Sequence, residues 1–257
     1  MNGFCALASG SKGNCIYIGT KHAKLLIDAG ISSKWVIKRL GQLGVNLSEI
    51  DAILVTHEHA DHIKGLGQLG CKMGIPVFAN SDTAKAIYGI LLECPKFKIF
   101  TTGETFEFGD IQIHPFSVQH DAIDPVAFIM RIGALKIGFC TDLGFPTTPV
   151  IHQLRDCDYL YLESNHQPSM VHACNRPMTY KHRVLGRQGH LSNEQCAELL
   201  LQVAHPNLKR VYLAHLSSEC NSPELALEIS QKALQQKSLA VELAIAHQDR
   251  LSDPVFF

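Results

Sequence analysis

Several features of membrane, secreted and repetitive proteins are missing from this sequence. No apolar run approaches the length of a membrane span, and the first ten residues lack both a basic segment and an apolar segment of secretory length. Internal repeats, low-complexity tracts and linkers rich in Gly, Ser or Pro are absent too. These absences predict one cytoplasmic domain spanning residues 1–257, with no membrane partner.

Neither charge nor cysteine content indicates a special class of protein. The formal net charge of −1 argues against bulk attraction to nucleic acid, although it leaves room for a local basic patch. The nine cysteines form no C-x-x-C pair, and their odd number suits a disulfide framework poorly. We therefore expect reduced thiols in a cytosolic protein.

The hydrophobic pattern predicts strands alternating with helices at both ends of the chain, and consecutive antiparallel strands from residue 98 to 141. Other predicted strands cover 4–8, 15–18, 24–27, 52–55, 76–79, 159–162, 210–213 and 239–243. Predicted helices cover 32–43, 81–92, 192–204 and 223–234, and another ends near 73–74. This order of elements favours a single α/β domain of mixed sheets with helices outside.

The stretch 54–62 places possible metal ligands directly after a buried strand. The predicted ligands are His57, His59, Asp61 and His62. A strand that stops at His57 puts the first two in a loop and the last two at the start of a helix, so one turn can direct all four into one cleft. Imidazoles with one carboxylate suit zinc, manganese or iron rather than calcium or magnesium.

Three further candidate ligands lie at the ends of other predicted strands. They are His120 after strand 111–118, Asp142 after strand 136–141, and His215 after strand 210–213. Divided between two divalent ions, the seven side chains can give His57, His59 and His120 to one ion and Asp61, His62 and His215 to the other, with Asp142 bridging. Two such ions activate a water and stabilise charge on a phosphoryl or acyl oxygen.

The ligand pattern resembles the metallo-β-lactamase superfamily over about residues 1–243. The resemblance implies a four-layer αβ/βα sandwich: two mixed β-sheets flanked by helices, with a dinuclear site at one edge. More narrowly, the chain resembles the YycJ branch, also called WalJ or VicX, on four motifs: Ser-Gly-Ser-x-Gly-Asn at 9–14, His-Asp-Ala-x-Asp-Pro at 120–125, Glu-Ser-Asn-His at 163–166 and Gly-His-Leu-Ser-Asn at 189–193. Gln167 departs from the branch, which has an Asp after the third motif.

Membership of that branch would imply a metal-dependent nuclease with 5′ to 3′ exonuclease activity on DNA. The mechanism we expect is attack of a metal-bridging hydroxide on a phosphodiester, positioned by Asp61 and Asp142, with His166 and His190 contacting the departing group or neighbouring phosphates. An alternative is a small-molecule thioester or lactone hydrolase of the same fold, similar to glyoxalase II.

The remaining candidate residues are predicted to contact substrate. Segment 9–14 can present Ser9, Ser11 and Asn14 to a phosphate, although a plain hairpin turn explains the same residues. Ser192 or Asn193 is expected to cap the helix that follows. The predicted substrate contacts are Ser9, Ser11, Asn14, Asn165, Ser192, Asn193, Lys181 and Arg183, the last two within a basic segment where a nucleic-acid backbone could lie.

Overall fold

The computed structural model describes residues 1–91 and 95–257. Contacts between Cα atoms divide this chain into two compact units. The first comprises Met1–Gln112, Ala122–Val126 and Ala246–Phe257, and the second comprises Ile113–Asp121 and Ala127–Ile245. Within the described ranges, the structure has no helix that is both long enough and apolar enough to cross a membrane.

The described residues form strands and helices with the following bounds. The strands are β1 Gly3–Ala8, β2 Cys15–Gly19, β3 Lys24–Ile27, β4 Ala52–Leu54, β5 Val77–Ala79, β6 Phe97–Ile99, β7 Phe106–Phe108, β8 Ile111–Ser117, β9 Val126–Ile132, β10 Leu135–Cys140, β11 Tyr159–Glu163, β12 Arg210–Ala214, β13 Glu242–Ile245 and β14 Val255–Phe256. The α-helices are α1 Ser33–Gln42, α2 Ala60–Ile63, α3 Ser81–Leu91, α4 Thr148–Leu154, α5 Pro168–Ala173, α6 Met178–Leu185, α7 Asn193–Val203 and α8 Pro223–Gln236. A 3₁₀ turn covers Leu47–Glu49 and a π-helix covers Gly67–Lys72.

The first unit contains a seven-stranded mixed sheet in the order β14-β1-β2-β3-β4-β5-β6. Pairing is antiparallel from β14 to β3 and parallel from β3 to β6. Every residue of β1, β2 and β4 is buried, which explains their continuous apolar sequences. Because β3 and β4 are parallel and paired as far as Ile27 and Leu54, the residues that follow them meet at one sheet edge.

The second sheet has the order β13-β12-β11-β10-β9-β8-β7, and its strands from β10 to β13 are parallel. Cys140 pairs with Leu162, which in turn pairs with Leu213. This register brings the carboxyl ends of β10, β11 and β12 to the same edge. The residues that end or follow these strands are Asp142, Glu163 and His215, so the sheet itself gathers three polar side chains.

Two mixed sheets flanked by helices confirm the predicted fold class, while several elements differ from prediction. Residues 97–99 pair parallel to β5 in the first sheet, so the prediction of antiparallel pairing was wrong there. The helix expected to end near 73–74 finishes as a π-helix rather than an α-helix. The predicted end of the helix at Leu92 lies outside the described residues.

The last predicted strand was placed about three residues early. Ser238 has a φ of 55°, and Leu239 N–H donates to the carbonyl of Leu234, so this segment closes the end of α8. Leu239 then packs against the core as part of the helix end, and β13 begins only at Glu242. An apolar residue used for helix termination was therefore read as the start of a strand.

Gly30→Ala should destabilise the first unit and disturb the loop that carries Asp61. Gly30 N–H donates to Asn14 O, and a Cβ at position 30 would lie 1.6 Å from the carbonyl oxygen of Asp61. We expect a loss of about 3 kcal/mol in the free energy of unfolding, measured by chemical denaturation. Gly41→Ala in α1 is the control, because its Cβ would meet no atom within 4 Å and should stabilise by about 0.5–1 kcal/mol. Equal stability of both variants would contradict the packing argument.

Candidate metal centre

The loop after β4 packs three imidazoles against one another in the first unit. The ring centroid of His57 lies 4.1 Å from that of His62 and 4.6 Å from that of His59. His57 and His62 are buried, and His59 is partly buried. Three positive charges so close together and so poorly hydrated would be costly. The loop thus brings together three imidazoles, and neutral imidazole is the form that binds a metal.

Asp28 holds one of these rings and was not predicted as a functional residue. Its Oδ2 lies 2.7 Å from His62 Nδ1, and its carboxylate also accepts hydrogen bonds from the backbone N–H and the hydroxyl of Thr56. A carboxylate at Nδ1 fixes the tautomer in which Nε2 carries the lone pair. The sequence did contain one sign of this role, because Asp28 directly follows a predicted strand. In the structure that strand is β3, which pairs parallel to β4.

Asn14 joins the Ser-Gly-Ser-x-Gly-Asn loop to the same ligands. Its Oδ1 accepts from Gly10 N–H at 2.8 Å, while its Nδ2 lies 3.1 Å from His62 Nε2 and 3.4 Å from Asp61 Oδ2. Ser9 is buried and Ser11 is exposed. The contacts of Asn14 thus support the ligand loop, and the phosphate-binding role of segment 9–14 stays a prediction.

A buried carboxylate organises the corresponding cluster of the second unit. Glu163 Oε1 accepts from His190 Nδ1 and from His215 Nδ1, each at 2.8 Å. Its Oε2 accepts from the backbone N–H groups of Leu143 and Leu191 at 2.8 and 3.1 Å. Burial alone would raise the pKa of Glu163, but His190 and His215 lower that pKa well below its usual value. From sequence, Glu163 was predicted only as part of a motif.

Donor atoms of Asp142, Glu163, His190 and His215 all lie within 4.8 Å of one another. Asp142 Oδ1 is 3.2 Å from His215 Nδ1 and 3.7 Å from His190 Nδ1. Asp142 and His215 both have a φ of 56°, in the left-handed region that non-glycine residues adopt at a cost. Strained backbone that delivers imidazoles and carboxylates to one point is typical of a functional site.

His120 lies on the loop after β8 in this unit. Its Nδ1 is 3.0 Å from Gly189 O, and its Nε2 is 3.7 Å from Asp142 Oδ1. Burial is the main cause that lowers the pKa of His120, so the ring stays neutral near pH 7. Since the carbonyl of Gly189 accepts the Nδ1 proton, Nε2 keeps the lone pair that a metal requires.

These donor sets pass a chemical test for metal binding. Neutral imidazole nitrogens oriented by carboxylates or carbonyls, together with further carboxylate oxygens, are the ligands that zinc, manganese and iron share. The seven ligands predicted from sequence all lie in the two clusters, four in the first unit and three in the second. With this fold, the His/Asp clusters fit a dinuclear metal site.

The Glu-Ser-Asn-His and Gly-His-Leu-Ser-Asn motifs are held in place by hydrogen bonds to each other and to the neighbouring residues His215 and Asn221. Asn165 Nδ2 donates to His215 O, and Asn193 exchanges hydrogen bonds with Asn221 and accepts one from Ser164. Ser192 caps α7 by accepting from Gln195 N–H, which confirms the predicted cap. These contacts explain Asn165, Ser192 and Asn193 structurally, and their contact with a substrate stays a prediction.

His166 differs from its neighbours because part of its bonding capacity is unused. The ring is buried, and its Nδ1 has no hydrogen-bond partner among the described residues. Burial lowers the pKa of His166 to about 4, so the ring is neutral near pH 7. Gln167, where the resemblance led us to expect Asp, accepts a hydrogen bond from Asn193 and donates one to Glu194. A buried, neutral imidazole of this kind can accept or donate a hydrogen bond to a ligand.

The predicted basic segment lies mainly on α6 and comprises Lys181, His182, Arg183 and Arg187. Several of these side chains contact other residues. Lys181 Nζ donates to His172 O at 2.7 Å, and Arg183 forms a two-pronged ion pair with Asp121. Beyond α6, the guanidinium of Arg187 stacks 4.0 Å from the ring centroid of Phe145. Arg183 is exposed and Lys181 is partly exposed, so both can also reach an anionic ligand.

Comparison with known proteins identifies the family. A family model described as beta-lactamase superfamily domain matches residues 23–216. The chain is 38% identical to exodeoxyribonuclease YycJ of Bacillus anthracis over 98% of this chain and 95% of that protein. It is 36% identical to exodeoxyribonuclease WalJ of Streptococcus pneumoniae serotype 2, over 93% of this chain and 90% of that one. The metallo-β-lactamase fold protein YhfI from Bacillus subtilis superposes with a TM-score of 0.72 at 16% identity, covering 96% and 97% of the two chains.

The chain therefore belongs to the metallo-β-lactamase superfamily and, within it, to the branch of the YycJ and WalJ proteins. Both levels of the resemblance predicted from sequence are confirmed. The structural likeness to YhfI agrees with the fold assignment and carries no information about substrate.

Glu163→Gln should weaken metal binding without removing any predicted ligand. A glutamine has one oxygen acceptor and an NH₂ group, so either the two imidazoles that share Oε1 or the two backbone N–H groups that share Oε2 lose their acceptor, and the side chain no longer holds both rings as the glutamate does. Loss of such an outer partner typically costs about 10- to 100-fold in metal affinity. Competition with a chromophoric chelator would measure the change. Glu194→Gln, an exposed position, is the matched control, and unchanged affinity in Glu163→Gln would contradict the orienting role.

Proposed function

We propose that this chain is a metal-dependent nuclease that removes nucleotides from DNA in the 5′ to 3′ direction. The observation that carries the proposal is identity of 38% over 98% of the chain to a protein named as an exodeoxyribonuclease. Relatives of that name support a metal-dependent hydrolase acting on nucleic acid. The substrate DNA, the polarity and the residue roles below are parts of the proposal.

We assign seven side chains to two divalent ions, zinc or manganese, with iron also suited to the ligands. The ligands are His57, His59, Asp61, His62, His120, Asp142 and His215. When bound, such ions polarise a phosphoryl oxygen and lower the pKa of a water molecule. Two further carboxylates orient the ligand imidazoles. Asp28 is bonded to Nδ1 of His62, and Glu163 is bonded to Nδ1 of His215.

His190 is proposed to protonate the departing oxygen of the phosphodiester. Its Nδ1 is bonded to the buried Glu163 carboxylate, which orients the ring and leaves Nε2 to deliver a proton. Its side chain is 13% exposed, so a substrate can reach it, whereas the side chain of Glu163 is fully buried. The pair therefore combines an inaccessible anion with an accessible proton donor.

His166 is proposed to bind a phosphate next to the cleaved bond. The low pKa of its ring means that it would act as a neutral hydrogen-bond partner rather than as a positive charge. The contacts with phosphate charge are assigned instead to two residues of α6, the partly exposed Lys181 and the exposed Arg183. Arg183 shares its guanidinium with Asp121, so Lys181 offers the stronger attraction for a phosphate.

The first test is cleavage of end-labelled single- and double-stranded DNA and RNA by metal-stripped protein refilled separately with zinc or manganese. We expect stepwise loss of nucleotides from the 5′ end of DNA with at least one metal. Asp61→Ala should reduce cleavage to background because a metal ligand is lost, while Asp82→Ala, an exposed carboxylate on α3, should behave as the natural protein. Protein that binds two ions and cleaves no polymer would overturn the nuclease assignment in favour of a small-molecule ester or thioester.

Replacing Lys181 and Arg183 by glutamine should raise KM for DNA and leave kcat nearly unchanged. The double variant should also show a weaker salt dependence, with the slope of log kcat/KM against log salt reduced by about 1 to 2. Lys232→Gln on α8 serves as the control for loss of an exposed charge. Hydrolysis of a thioester or lactone at a rate insensitive to salt and to this double variant would favour the alternative function.

A further inference from the structure

Two cysteines of the second unit lie side by side although 46 positions separate them along the chain. Cys174 directly follows α5, and Cys220 lies in the loop between β12 and α8. Cys220 belongs to one buried apolar cluster with Val171 and Val184, and Cys174 packs against this cluster and interacts with Cys220. Cys220 is buried, whereas Cys174 is partly exposed, so one thiol of the pair can meet a dissolved reagent.

Charged and aromatic contacts hold the two segments in place around these thiols. Arg176 forms a two-pronged ion pair with Glu219, and its guanidinium lies 5.5 Å from the ring centroid of Tyr180. Gln167 N–H donates to Cys220 O at 2.8 Å. The segments are thus fixed on both sides of the thiols, which keeps the sulfur atoms near each other.

The other described cysteines differ from Cys174 and Cys220 in their burial or in their position in the fold. The buried thiols are Cys5, Cys15, Cys140, Cys157 and Cys196, and burial raises the pKa of each. A thiol with such a pKa is almost never the reactive thiolate near neutral pH. Cys71 is partly exposed but lies in the first unit, on the π-helix. Cys94 lies outside the described residues.

We propose that Cys174 and Cys220 form an oxidisable dithiol, a modification site that a hydroperoxide converts to a disulfide. The Cys174 thiolate attacks the O–O bond, giving a sulfenic acid and releasing an alcohol, or water from hydrogen peroxide. The Cys220 thiol then displaces water and closes the S–S bond. Two thiols are oxidised, one peroxide is reduced, and the two thiol protons leave in the released products.

The order of attack follows from the surroundings of the two sulfurs. Burial is the main cause that raises the pKa of Cys220, and the neighbouring Cys174 raises that pKa further. Cys174 is the more exposed of the two, so a dissolved peroxide reaches its sulfur first. Cys174 is therefore the attacking sulfur and Cys220 the resolving one.

The disulfide would brace the loop that supports the Glu-Ser-Asn-His motif. Asn221, next to Cys220, donates through Nδ2 to Ser164 O and Asn165 O at 2.8 and 3.0 Å. A covalent bond from position 220 to the end of α5 would limit movement of this loop. The inference rests on the thiol geometry alone and holds whether or not the chain cleaves DNA.

The test is treatment of the folded, full-length protein with hydrogen peroxide, followed by peptide mapping without reductant. We expect a cross-linked peptide pair containing positions 174 and 220, lighter by two hydrogen atoms and separated again by dithiothreitol. The oxidised protein should have a Tm higher by roughly 5–10 °C, because the cross-link restricts the unfolded chain. Cys71→Ser is the control and should retain both effects.

Cys174→Ser should abolish the cross-link and the rise in Tm, and as the more exposed position it is the variant expected to keep its fold. Cys220→Ser should leave Cys174 to overoxidise to the sulfinic acid. A disulfide between other cysteines, or Cys174 oxidised alone in the natural protein with Cys220 still reduced, would overturn the proposal.

Discussion

The buried carboxylate of Glu163 is the constraint on which the second cluster depends. An ionised carboxylate removed from water costs several kcal/mol unless hydrogen bonds replace its hydration. Four donors do so here, two imidazoles and two backbone N–H groups, from His190, His215, Leu143 and Leu191. Those donors come from the loops after β10, α6 and β12. Satisfying one charge at the end of β11 therefore fixes the positions of three other loops.

The first unit also contains a buried carboxylate, which is held by fewer hydrogen bonds. Asp28 is buried at the end of β3, where Thr56 and His62 supply its hydrogen bonds. Asp28, Asp142 and His215 all have a left-handed φ immediately beyond a strand, each at a cost of about 1 kcal/mol or more. Hydrogen bonds to the side chains of Asp28 and His215 offset that cost at two of these positions. Strained backbone conformations thus occur at residues that are proposed to bind or orient metal.

The predicted ligands were accessible from sequence because each lies within a few residues of a strong apolar run. The end of a strand can be predicted from the local sequence, and each of the seven predicted ligands follows the end of a predicted strand. Glu163 and Asp28 could not be assigned a role in the same way, since their partners depend on strand pairing: Cys140 with Leu162, and Ile27 with Leu54. The prediction for β6 was wrong for the same reason, because a strand of three residues does not specify which neighbour it pairs with.

The Glu-Ser-Asn-His motif combines residues with different physical duties. Asn165 holds the backbone of His215, and Glu163 orients two imidazoles, so replacing either would leave buried polar groups unsatisfied at about 1–3 kcal/mol each. His166 lies in the same buried segment, yet the described residues offer no partner to its Nδ1. Native proteins rarely leave such a group unsatisfied without a functional reason. Glu163 and Asn165 therefore have a structural role in this motif, since they hold other residues in place. His166 differs from them, because its Nδ1 remains able to form a hydrogen bond with a ligand.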